Sequence, residues 1–145
     1  MSQQVTPDDQ SFAVFETYRQ AINRSLEEYF DLLPGMFRGE DLPLIATQAL
    51  DLIREFTLRP GKRVRGALAA MAYDYGTRQE LSTTGQKLAV AMELIQSYLL
   101  IVDDITDKSD FRRGEPTVHR RYEQLYDKKL SERYEIYERR TDQLR

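Results

Sequence analysis

The chain is predicted to be all-α. Three observations carry that expectation. Apolar residues recur near helical spacing along most of the length, Gly and Pro punctuate the chain between those runs, and no run alternates as a half-buried strand would. In "FAVFETYRQAINRSLEEYFDLL", Phe12, Phe15, Ile22, Leu26, Tyr29, Phe30 and Leu33 mark a first helix, which Pro34 and Gly35 should end. "PLIATQALDLIREFTL" reads as a second helix, closed by Pro60. A third begins near Lys62 and runs to Gly76, its Gly66, Ala67, Ala69, Ala70 and Ala72 small enough for neighbouring helices to approach closely. The fourth starts near Ser82 to Thr84 and reaches about Asp107. "KSDFRRGEP" reads as a loop, and a charge-rich fifth helix should start at Thr117.

Bulk properties narrow the function. The 145 residues suggest one domain over 1–145, with 1–10 unstructured and 126–145 a charged segment of uncertain helicity. A net charge of −3 gives no global basic field for nucleic acid. The absence of cysteine excludes disulfides, thiolate metal sites and cysteine nucleophiles, and fits a cytoplasmic protein. The polar, acidic N-terminus does not read as a signal peptide, and the apolar run "LAVAMELIQSYLLIV" is too short and too polar to span a membrane.

The fourth helix ends in D-D-x-x-D: Asp103, Asp104 and Asp107. Asp103 and Asp107 are four apart and share a helix face, where their carboxylates repel unless a cation lies between them. Such hard oxygen ligands suit Mg²⁺, which shares its remaining positions with water and substrate phosphates. A solvated helix end is the plain alternative, although acidic groups there oppose the helix dipole. An EF-hand over Asp104 to Glu115 is disfavoured, because Ser109 stands where that loop needs Gly and Lys108 where it needs an oxygen ligand.

Basic residues flank the cluster. Arg112 and Arg113 read either as a solvated basic turn or as guanidinium forks for diphosphate oxygens. Upstream, "RPGKRVRG" puts Lys62, Arg63 and Arg65 at the start of the third helix, a placement the helix dipole disfavours and a bound anion would relieve. Two basic sites and one carboxylate cluster suggest two phosphorylated substrates, one held through metal. His119, the single histidine, reads as structural.

Taken together, "RPGKRVRG", "MELIQSYLLIVDDITDKSD" and "RRGEPTVH" resemble the trans-isoprenyl diphosphate synthases, the polyprenyl synthetase family that includes farnesyl and geranylgeranyl diphosphate synthases. The likeness covers about residues 10 to 122. It implies a helical bundle of the isoprenoid synthase type, apparently its N-terminal half, usually dimeric, that joins an allylic diphosphate to isopentenyl diphosphate. By that resemblance Asp103, Asp104 and Asp107 hold Mg²⁺ on the allylic diphosphate and Arg112 grips the same group. Lys62, Arg65, Gln96 and Arg113 would bind isopentenyl diphosphate. Tyr98 and Leu99, just before the aspartates, would form the floor that sets product length, with C15–C20 products expected. The family's second D-D-x-x-D does not occur in these residues. The expectation is therefore that the 145-residue chain is not active alone and leaves apolar helix faces to be covered by self-association or by a full-length synthase. A non-catalytic diphosphate-binding or regulatory subunit is the alternative.

Overall fold

A computed structural model describes residues 7–36 and 44–128. The chain order is α1 (Pro7–Met36), α2 (Leu44–Leu58), α3 (Val64–Thr77), α4 (Thr83–Thr106), β1 (Phe111–Arg112) and β2 (Glu115–Pro116), followed by α5 over 118–128. The charged segment beyond residue 128 lies outside the described residues.

Each helix forms where its periodicity places it. Along α1, Tyr18, Ile22 and Leu26 follow one another at i, i+4 and are buried against Ala67 and Ala70 of α3 and Ala89 and Val90 of α4. Small residues set the α3–α4 contact. Ala67, Ala70 and Ala89 are fully buried, and the two helices pack against each other more extensively than any other described pair. Ala72, in contrast, is exposed. α2 adds Leu52 and Phe56 to the core and packs on α1 and α4.

Three features differ from the sequence expectation. α1 already begins at Pro7, inside the N-terminal stretch expected to be unstructured, and it runs through Pro34 and Gly35 to Met36. Proline removes one backbone donor and crowds the preceding turn, but within three residues of the end there is little further helix to disrupt. The segment expected to be a loop contains a two-residue antiparallel ladder, pairing Phe111 with Pro116 and Arg112 with Glu115. Its turn residues, Arg113 and Gly114, both have positive φ, 54° and 85°, as a type I′ turn requires.

Ser82 caps α4, its Oγ accepting from the Gly85 N–H at 3.0 Å. The same hydroxyl donates a very short hydrogen bond to Asp74 Oδ1. Asp74 Oδ2 accepts from Tyr18 Oη at 2.8 Å and from the Ser82 N–H at 3.2 Å. This buried carboxylate ties α1, α3 and α4 at one corner. Burial pushes its pKa up, but the hydrogen bonds from Ser82 and Tyr18 together outweigh it and hold the group below the usual carboxylate value. Tyr18 is raised, first by burial and then by its bond to Asp74.

Candidate functional site: a cationic cleft beside the aspartate end of α4

The α2–α3 junction, the middle of α4 and the β1–β2 turn enclose a cleft of about 570 Å³. Its lining contains Lys62, Arg65, Gln96 and Arg113, four residues from three separate segments that the family resemblance assigns to one ligand. Arg112 also reaches it. Lys62, Arg65 and Arg113 make no ion pair among the described residues, so their charges remain available to an anion.

Two backbone positions that build the cleft are left-handed. Arg63, the N-cap of α3, has φ 52°, and Arg113 has φ 54°. Such conformations are uncommon for side chains other than Gly, Asn and Asp. At Arg63 the turn sends the guanidinium inward. Its Nε donates to Asn23 Oδ1 at 2.9 Å, Nη2 to the Thr57 and Arg59 carbonyls at 2.8 and 3.1 Å, and Nη1 to Glu93 Oε2 at 3.2 Å. Glu93 Oε1 accepts from the Gly66 N–H at 3.0 Å. Both side chains of this ion pair are buried. The anion anticipated at the start of α3 is thus supplied in part by the protein: a carboxylate of α4 takes the third N–H of the helix.

At the far end of α4 the three aspartates do not act alike. Asp104 is buried at 2% exposure, and Arg112 Nε donates to its two oxygens at 2.8 and 2.9 Å. Arg112 Nη2 also donates to Asp103 Oδ2 at 3.1 Å. The Arg112 pKa is pushed up, foremost by its hydrogen bond to Asp104. Asp103 and Asp107 are exposed. Among the described residues no three His, Asp or Glu side chains converge as a ligand set. The chemistry still suits Mg²⁺, because Asp103 and Asp107 present hard oxygens one helical turn apart and such an ion fills most of its shell from water and phosphate.

Tyr98 and Leu99 are not part of the cleft lining. They stand 64% and 53% exposed on α4, in a stripe with Ile95, Val102 and Ile105. His119 lies outside the lining too, its Nδ1 buried with no hydrogen-bond partner among the described residues. Sequence reading missed the roles of Arg63 and Glu93. The available signal was a lone acidic residue inside the apolar run "VAMELIQ", where a carboxylate needs a buried partner.

The polyprenyl synthetase family pattern matches residues 47–128, more than half of the chain and the part that contains the whole cleft. The chain belongs to the polyprenyl synthetase family. Within that family, a geranylgeranyl diphosphate synthase of Pseudescherichia vulneris is 33% identical over 109 residues, covering 74% of this chain and 32% of that protein. A geranylfarnesyl diphosphate synthase of Natronomonas pharaonis is 37% identical over 102 residues, covering 59% of this chain and 29% of that protein. A geranylgeranyl diphosphate synthase of Methanosarcina mazei reaches 47% over 62 residues, 41% of this chain and 18% of that protein. The matched stretch therefore spans only about a third of the length of the first two of these relatives. No solved structure matches it. Polyprenyl synthetase membership agrees with the all-α architecture, and no described helix is long and apolar enough to cross a membrane.

Proposed function

We propose that this polypeptide provides the diphosphate-binding half of an Mg²⁺-dependent prenyltransferase that joins an allylic diphosphate to isopentenyl diphosphate head to tail. The observation that carries the reading is the cleft itself, which gathers Lys62, Arg65, Gln96 and Arg113 with three cations unpaired among the described residues. In this reading they hold the isopentenyl diphosphate. Asp103 and Asp107 would hold the metal, while Asp104 keeps Arg112 oriented toward the allylic diphosphate. When bound, Mg²⁺ would neutralise charge on the departing diphosphate.

The protein's own contribution is electrostatic and positional. Arg112 stabilises the negative charge that grows as the allylic carbon–oxygen bond breaks. The cleft cations place the isopentenyl double bond for attack on the resulting allylic carbon, after which a proton is lost. The apolar stripe of Tyr98, Leu99 and Val102 on α4 would carry the hydrocarbon and shield the cation from water. No nucleophilic side chain is needed, consistent with a chain that has no cysteine and one histidine outside the cleft lining.

The test is prenyl transfer by the purified 145-residue chain with labelled isopentenyl diphosphate, farnesyl diphosphate and Mg²⁺, alongside direct titration of each diphosphate. A metal-dependent C20 product would establish a complete catalyst. Saturable binding without turnover is the expected result for this chain, with Asp103→Ala abolishing the Mg²⁺-dependent part of allylic diphosphate binding. Undiminished binding by that variant would remove the metal assignment.

A further inference from the structure

We infer that the buried Arg63–Glu93 pair is a positioning device for the cleft: it fixes the α2–α3 junction so that Lys62 and Arg65 line one volume with Gln96. The inference rests on reading that cleft as a diphosphate site.

Arg63 sits between the two cleft cations in sequence, and its acceptors come from Asn23 of α1, Thr57 and Arg59 at the end of α2, and Glu93 of α4. A single guanidinium thereby caps the last carbonyls of one helix while its own backbone starts the next. Glu93 closes the arrangement from α4. One oxygen meets Arg63 and the other the Gly66 N–H, and the same helix face carries Gln96 and Ser97 three and four residues later into the cleft. The approach is tight. A Cβ on Gly66 would lie 3.0 Å from Glu93 Cγ and Oε1 and 3.1 Å from the Ala89 carbonyl.

Coulombic attraction for an anion does not explain Glu93. A carboxylate in the wall of an anion site weakens the field there. Nor does stability explain the pair, since buried ion pairs are often no better than apolar groups of equal volume. Geometry does explain it, because the pair ties the α2–α3 junction, which bears Lys62 and Arg65, to α1 through Asn23 and to α4 through Glu93 itself.

The opposing signs make the role testable by calorimetric titration of the full chain with inorganic pyrophosphate. Glu93→Gln keeps the side-chain volume and an acceptor for Gly66 but removes a negative charge from the cleft. Charge alone would tighten pyrophosphate binding, whereas loss of positioning weakens it by about tenfold, a typical effect of removing a group that orients a ligand-binding side chain. Glu115→Gln is the comparison. It removes another carboxylate from the lining, one with no side-chain partner among the described residues, and should tighten binding.

A double variant, Arg63→Met with Glu93→Leu, leaves the net charge and the buried volume nearly unchanged. It should fold, as circular dichroism would report, and still bind about tenfold more weakly. Wild-type affinity in the folded double variant, or tighter binding by Glu93→Gln, overturns the inference. A double variant that does not fold makes the pair a determinant of the fold and overturns it as well. Failure of the unaltered chain to bind pyrophosphate removes the diphosphate reading and this role with it. Normal binding by the unaltered chain with insensitive variants removes the positioning role alone.

Discussion

At the N-terminal end of α3 a buried carboxylate, Glu93, meets a guanidinium and one backbone N–H, while at the C-terminal end another, Asp74, meets only neutral donors: two hydroxyls and the Ser82 N–H. Each carboxylate presses against a glycine, Gly66 at one end and Gly85 at the other. The surroundings differ. Around Asp74 every bond runs between helices of the core, and none of its partners lines the cleft. Around Glu93 the bonds stop short of the neighbouring Lys62 and Arg65 and leave them open to an anion. The contrast separates a corner that only holds the bundle from a corner that holds the bundle so that adjacent cations stay unsatisfied.

The largest effect should come from the corner remote from the cleft. Asp74→Ala strands the Tyr18 and Ser82 donors and should destabilise the fold by about 3 kcal/mol, read from chemical denaturation. Pyrophosphate affinity of the folded fraction should not change, and a loss of affinity would erase the distinction between the two corners. The pH dependence follows from the same group. Because the folded-state pKa of Asp74 is lowered from 3.8, its contribution is complete above that value and is lost as pH falls through the lower folded value. Asp74→Asn should flatten this acid limb in a urea-unfolding series.

Next in size is Gly85→Ala. The added carbon would lie 2.7 Å from Asp74 Oδ1, an atom held by its own hydrogen bonds, and the forced shift should cost about 2 kcal/mol in thermal or urea unfolding. On the cleft side, Arg65→Ala should leave stability nearly unchanged and weaken isopentenyl diphosphate by about tenfold, as loss of a charge-assisted contact does, with little effect on the allylic substrate. Equal loss for both ligands in paired titrations would merge the two diphosphate sites into one. The smallest effect belongs to the rim. Glu55 bridges Arg59 and Arg121 with its side chain 44% exposed, so Glu55→Gln should alter stability by about 0.5 kcal/mol or less.

The helices were legible because each carries enough periodic apolar residues to bury a face, and because Ser82 and Pro60 punctuate them; Gly76, expected to end α3, lies inside it, and left-handed Arg78 caps the helix after Thr77. The cleft cations were legible as types, and their assembly came from the family likeness rather than from any local signal. The rest depended on long-range geometry. Nothing near "GKRVRG" announces that Arg63 turns inward and Arg65 does not, since the partner that decides it lies 30 residues away on α4. The β1–β2 hairpin was hidden by its brevity, as two residues per strand cannot display alternation. That Asp104 is committed to Arg112 while Asp103 and Asp107 stay exposed depends on how the hairpin folds back onto α4, which D-D-x-x-D alone does not encode.

The unpaired cations of the cleft sit on a chain whose net charge is −3. On the proposed reading of the cleft as a diphosphate site, this would act as a kinetic funnel for a small polyanion. The acidic remainder of the surface discourages encounters elsewhere, while the field of Lys62, Arg65 and Arg113 is focused by the low-dielectric cleft walls. Capture should be fast at low ionic strength and slow steeply once the screening length shrinks below the dimensions of the cleft, about 8 Å at physiological salt. Release, set by the close contacts, should respond far less. Salt would therefore regulate how often a diphosphate arrives more than how long it stays.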